Sequence, residues 1–295
     1  MRIVATCTTL PDRYQKLLLT LKTLHEQTIK FDAIYLTLPY KAKRLNKDYP
    51  ELPNEIKDLC TVVRTDIDYG PICKIYGALI NENEPNTMII TIDDDCIYPN
   101  HFVETFIEKS NIQPNAAITG TGVLVGSGAM FLSINMNIDR ALIIKGLLGF
   151  DIPTNGRRVD IVQGVSGVLY KRHFFPPCNQ LDDLFTLPLK NEDLFKSDDI
   201  VISGYLSKKN ILRYTFNQMP IVHITQTNDD ALSVDMFKMC VVFKRALYKS
   251  REYGYFPYFE NHSIAESPAI KIPLVIIVSI ILLILFIIII YKKNL

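Results

Sequence analysis

Zinc-ligand spacing is missing from this chain. No two of its six cysteines (Cys7, Cys60, Cys73, Cys96, Cys178 and Cys240) form a CxxC pair, and no cysteine–histidine cluster has ligand spacing. That leaves no sequence case for a structural zinc site. Cys7 and Cys96 fall in predicted core strands, where a free thiol packs as a small apolar residue. The even count therefore reads as reduced thiols in a cytosol-facing domain rather than as a disulfide framework. Surplus charge is missing too. The 32 basic and 31 acidic residues leave a formal net charge of +1, and pairs such as Lys208-Lys209 and Lys292-Lys293 are too short to make a phosphate-binding face. Nucleic acid is not an expected partner. A dinucleotide fingerprint is also absent. The glycines at 120, 122, 126 and 128, in TGTGVLVGSGAM, do not fit GxGxxG and follow the fifth predicted strand, not the first. They read as a loop and a bulged strand.

What is present is the balance of an ordinary globular protein, 48% apolar and 21% charged over 295 residues, enough for one large domain or two small ones. MRIVATCTTLPDRY has too short an apolar stretch for a signal peptide and reads as a strand over 3–7. Leu17, Leu21 and Leu24 at 3.6-residue spacing predict a helix. Strands follow at 33–38 and 60–65, with a polar surface excursion at 41–58 between them. A helix over 74–80, a strand over 88–92, a helix over 102–109 and a strand over 116–119 complete an alternation that predicts a parallel, doubly wound α/β sheet. Further along, 163–172 reads as a strand entered from a tight turn. Residues 197–210 read as a helix capped by Ser197 or Asp198, 211–216 as a strand, and a long helix opens at Thr227 or Asn228.

The C-terminus is different. IPLVIIVSIILLILFIIIIY, residues 272–291, has no charge and the length of a bilayer's hydrocarbon core. A buried soluble helix of that length would carry a polar face. The expectation is a single-pass C-terminal membrane anchor with the body in the cytosol. Residues 251–271 would be an aromatic juxtamembrane linker and 292–295 a short tail.

IITIDDDCIYPN, residues 89–100, places Asp93, Asp94 and Asp95 at the end of an apolar strand. Carboxylates there need compensation. Open parallel sheets bind ligands at the carboxyl ends of their strands, and a hard divalent cation with phosphate oxygens suits such a place. Alternation sends Asp93 and Asp95 one way and Asp94 the other. The pair can share a metal–nucleotide site while Asp94 braces the turn.

Read together, TCTTLPDR, DYGPICK, ITIDDDCIYP and SDDIVISGYL resemble, in order and spacing over about residues 1–225, a nucleotide-sugar-dependent glycosyltransferase of GT-A fold, close to the broad family 2 type. The resemblance implies a GT-A domain over 1–250, with a donor half at about 1–118 and an acceptor half at about 119–250. It implies a UDP- or GDP-sugar donor and a glycan, lipid or protein acceptor. Thr8, Pro11 and Arg13 would line the nucleoside end, and Asp68, Tyr69 and Gly70 would continue that wall. In that wall Gly70-Pro71 would let the backbone approach a flat base. Lys74 would approach the diphosphate. Asp93 and Asp94 would stand on the donor side, and Asp93, Asp95 and His223 would hold Mn²⁺ or Mg²⁺. Gly164 and Gly167 would bring backbone close to the acceptor. Asp198 and Asp199 are the candidate bases for an inverting transfer; family 2 enzymes usually carry ED where this chain has DD. The chain has no tryptophan and so lacks the QxxRW motif of processive synthases.

Other readings compete. A metal-dependent phosphatase would need a carboxylate on the first strand, and none precedes Asp12. The near-neutral charge counts against a nuclease. A membrane-tethered binding protein on a decayed transferase fold would have lost one of the motifs, and all are intact.

Overall fold

The computed structural model describes residues 1–125, 131–135, 155–177, 180, 182–216, 219, 222–224 and 236–257. The chain divides into two compact units, Met1–Pro257 and Tyr258–Leu295; the second lies outside the described residues, and with it the expected span 272–291. No helix among the described residues is long and apolar enough to cross a membrane.

β1 (Ile3–Thr8) leads to α1 (Tyr14–His25) and β2 (Ala33–Pro39). A small hairpin of β3 (Lys41–Ala42) and β4 (Lys47–Asp48) and a helical turn, α2 (Asn54–Lys57), precede β5 (Thr61–Thr65). Then come α3 (Cys73–Asn81), β6 (Met88–Thr91), β7 (Cys96–Ile97) and α4 (Phe102–Ile112). β8 (Ala116–Val125), β9 (Phe131–Asn135), β10 (Arg157–Arg158) and β11 (Ile161–Lys171) follow. Helices α5 (Asp182–Leu189), α6 (Glu192–Phe195) and α7 (Asp198–Lys208) lead to β12 (Leu212–Thr215), β13 (His223–Ile224) and α8 (Met236–Arg251).

The main sheet runs β10-β12-β8-β11-β6-β1-β2-β5, with β9 on β8. β5, β2, β1 and β6 are mutually parallel, as the helix–strand alternation predicts. β11 is antiparallel to both β6 and β8, so the sheet is mixed and mostly parallel rather than wholly parallel. Antiparallel neighbours need no crossover helix, and the described residues between β8 and β11 are the short strands β9 and β10.

Strand alternation sorts the two faces. Ile3, Ala5 and Cys7 share a buried cluster with Leu17, Leu21 and Leu24 of α1 and Phe102 and Phe106 of α4. From the opposite face, Thr6 donates through Oγ1 to the Lys74 carbonyl on α3. The excursion at 41–58 is less of a surface feature than expected, because Ala42, Leu52 and Ile56 are buried. The aromatic stretch expected to reach lipid also begins inside the body. Tyr255 and Phe256 are buried, and a Cβ added at Gly204 of α7 would lie 2.3 Å from the Tyr255 ring.

Chain direction reverses its march across the sheet at β1, with β2 and β5 on one side and β6 on the other. This is a topological switch point, where the loops after two neighbouring parallel strands splay apart and leave a crevice. Those loops are Thr9–Arg13 after β1 and Ile92–Asp95 after β6.

Candidate functional site

The three aspartates sit in the turn between β6 and β7, not on the strand itself. The turn is built from several sides. Thr20 of α1 donates to the carbonyls of Asp94 and Cys96 at 3.1 and 2.8 Å. The Asp93 N–H donates to the Tyr98 hydroxyl at 2.9 Å. Asp94 is buried, accepts from Thr9 Oγ1 on one oxygen and from Arg13 Nη1 at 3.1 Å on the other. Burial pushes its carboxyl up, against the pull of Arg13 and Thr9. Asp94 therefore braces the turn against the β1 loop, with both oxygens taken by Thr9 and Arg13.

Asp93 and Asp95 converge with the residue that follows them. An oxygen of each, together with Cys96 Sγ, lies within 4.8 Å of the others. Asp95 also takes Arg13 Nη1 at 3.4 Å. Asp93 takes the ammonium of Lys74 at 2.7 Å, and that ammonium reaches Asp198 at 2.8 Å. Lys74 is thus a buried bridge between the β6 turn and the start of α7. Burial disfavours its charge, yet Asp198, Asp93 and Asp199 outweigh that and hold it protonated.

Asp199 accepts from the Gly164 N–H at 3.0 Å. Burial, reinforced by the neighbouring Asp198 charge, pushes its carboxyl well above the usual range, with Lys74 opposing. Ser197 stands at the N-cap of α7 but makes no side-chain cap. The expected cap by Ser197 or Asp198 is therefore absent: both α7 carboxylates turn to Lys74 and Gly164 instead. Gly164 itself lies where β11 loses register between Gln163 and Val168. A Cβ there would be 2.9 Å from Lys74 Nζ, 3.3 Å from Asp93 and 3.5 Å from Asp199. The bulge is what carries the backbone into the cluster.

Arg13, Lys74, Asp93, Asp95, Gly164, Asp198 and Asp199 are brought together, then, from positions spread along the chain. The rest of the expected set is more structural. Thr8 Oγ1 donates to the Thr37 carbonyl at 2.8 Å, and Pro11 is buried in the turn that Arg13 closes on the Leu10 carbonyl. Asp68 accepts from the N–H groups of Gly70 and Lys43, both at 2.7 Å. Tyr69 packs its ring on Tyr76 and Phe185. Gly70, at φ +79, makes room for Phe195, whose carbonyl would lie 2.5 Å from an added Cβ. The close approach seen at Gly70 is to Phe195. Gly167, at φ +75, packs on the Phe102 ring and Thr91 rather than lining the cluster. His223 pairs by its backbone opposite Ile97, one strand over from the carboxylate turn; its side chain lies outside the described residues.

Sequence reasoning missed Thr9, Thr20 and Tyr98, which fix the turn. It read Cys96 as core, and Cys96 is fully buried in the hydrophobic cluster; that its sulfur also lies beside Asp93 and Asp95 was signalled only by its position directly after the triplet. Among the described side chains Cys7, Cys60, Cys73 and Cys96 are free thiols. Five carboxylates around two cations leave a surplus of negative charge at this crevice, which suits a divalent cation bound through oxygen. A separate cavity of about 370 Å³, lined in part by His25, Lys30, Asp32, Lys57 and Cys60, lies at the amino ends of β2 and β5 and contains none of these residues. No family model matches the chain, and no curated protein matches it.

Proposed function

We propose that this protein is a metal-dependent glycosyltransferase of the GT-A type, moving a sugar from a UDP- or GDP-sugar to a hydroxyl of a glycan, lipid or protein acceptor. The observation that carries the reading is the bridge of Lys74 between Asp93 and Asp198 at the switch point. It joins a donor-side carboxylate turn to the half-buried Asp198 and Asp199 in one crevice.

Asp93 and Asp95 would hold Mn²⁺ or Mg²⁺, with His223 as a further ligand from the strand paired beside them. Bound there, the dication stabilises the charge that develops on the departing nucleoside diphosphate. Arg13 and Lys74 supply fixed positive charge to the phosphates. The β1 loop with Thr8 and Pro11, and the Asp68–Gly70 turn, shape the nucleoside end. Gly164 leaves backbone, not side chain, facing the sugar. As the acceptor oxygen bonds to the anomeric carbon, the bond to the diphosphate breaks and takes its electron pair with the leaving group. The acceptor's proton passes to Asp199, the half-buried carboxylate with raised proton affinity, while Asp198 stays paired with Lys74. Residues 272–291 would anchor the body to a membrane.

Calorimetric titration of the full chain with UDP and GDP tests the site. Binding is expected with Mn²⁺ or Mg²⁺, absent with EDTA, and lost in Asp95→Ala. Nucleotide binding indifferent to metal, or none under any condition, contradicts the reading.

A further inference from the structure

Resting on the metal site just proposed, we infer that the Cys96 thiol is a further protein ligand of the cation, beside Asp93 and Asp95. The site then prefers cations with affinity for sulfur, such as Co²⁺ or Zn²⁺, over Mg²⁺. Three observations lead there. Cys96 follows the aspartates in the same turn, and among the described residues its sulfur forms a tight group of ligand atoms with Asp93 and Asp95. Its hydrogen-bond neighbours include a carboxylate, Asp95 Oδ1 at 3.8 Å, besides the Val165 carbonyl at 3.6 Å. Cys7 and Cys60, by contrast, each turn to a backbone carbonyl, of Tyr35 and Ile56. Finally, the ligand turn is held from behind, because Thr20 grips the carbonyls of Asp94 and Cys96.

The division of labour in the turn follows. Asp94 is drawn away to Thr9 and Arg13, which leaves two carboxylates and one thiol facing one another. Carboxylates alone suit Mg²⁺ and Mn²⁺, whereas a thiolate shifts preference toward softer cations. A coordinated thiol is held as thiolate by the ion's own charge, so its proton leaves to solvent as the sulfur–metal bond forms. Packing as a small apolar core residue is the alternative role for this buried cysteine, and it predicts no metal–sulfur signal.

Titration of the full chain with Co²⁺ separates the two. A sulfur-to-cobalt charge-transfer band in the near ultraviolet is expected. It should vanish in Cys96→Ala and in Asp95→Asn, and persist in Cys73→Ala. Zn²⁺ should displace Co²⁺ at least about tenfold more weakly from Cys96→Ala than from the unaltered chain, with Mg²⁺ affinity unchanged. Because Cys96→Ala could fail to fold, ¹¹³Cd resonance of the unaltered chain gives a second reading: a shift of the sulfur-bonded type that Asp95→Asn removes supports the inference. Cobalt or cadmium bound through Asp95 with only oxygen- and nitrogen-type signals overturns the Cys96 inference and leaves the metal site standing. No divalent cation bound by any measure overturns both.

Discussion

Asp199 carries the most consequential electrostatics in the molecule. Desolvation and the neighbouring Asp198 charge raise its proton affinity well above the ordinary range, so its charged form is costly in the folded chain. The folded state binds this proton more tightly than the unfolded one. The stability that the proton contributes is complete below an ordinary aspartate value of about 3.9, and is lost as pH rises toward the raised folded value. Asp199→Asn should therefore melt higher than the unaltered protein at pH 7. That gap should close as pH falls to about 4, and thermal melts across pH read it directly. The same variant should lose about 100- to 10,000-fold in transfer rate, the usual contribution of a general base. The acidic limb of the kcat/KM profile of the unaltered enzyme should lie above the ordinary carboxylate range. At this scale the sequence was informative about the charged cluster, where Lys74, Asp93, Asp95, Asp198 and Asp199 converge. It was uninformative about Thr9, Thr20 and Tyr98, because a hydroxyl bonded to a turn has no spacing rule to reveal it.

Among the elements, α6 and the 68–70 turn are coupled through Gly70. Its φ of +79 and the 2.5 Å approach of the Phe195 carbonyl exclude a side chain. Gly70→Ala should cost about 2 kcal/mol or more in urea unfolding, from the left-handed backbone alone plus the clash. Because Phe195 lies just before Asp198 in the chain, the variant should also weaken donor binding; an unchanged unfolding midpoint would contradict the packing described. The main strands and helices up to residue 119 were readable, since β1, β2 and β6 are largely buried apolar runs with helices between them, whereas the short β3, β4, α2 and β7 were not. β11 was not readable as antiparallel. Period-two patterning gives a strand's faces but not its direction, and the bulge that delivers Gly164 shows only as two glycines close together.

For the whole molecule, the sheet's switch point decides where chemistry can sit, and every charged residue of the cluster falls there. The sequence pointed there because the acidic triplet ends an apolar strand of a parallel sheet; that this strand neighbours β1 came from the structure. The sequence misplaced the edge of the body, since Tyr255 and Phe256 read as linker aromatics but are buried against it. A chain ending at Pro257 keeps the compact unit intact. It should retain its cooperative melt and its nucleotide binding while losing the membrane association proposed for 272–291, as flotation on lipid vesicles would report. The central claim is catalysis at the Lys74-bridged cluster, and donor hydrolysis tests it most directly. The full chain would be incubated with UDP-, GDP- and CMP-sugars, each with Mn²⁺ and with EDTA, and free nucleotide counted. Metal-dependent release from a UDP- or GDP-sugar, abolished by Asp95→Ala, is the predicted result. Release from no donor, with or without metal, would contradict it.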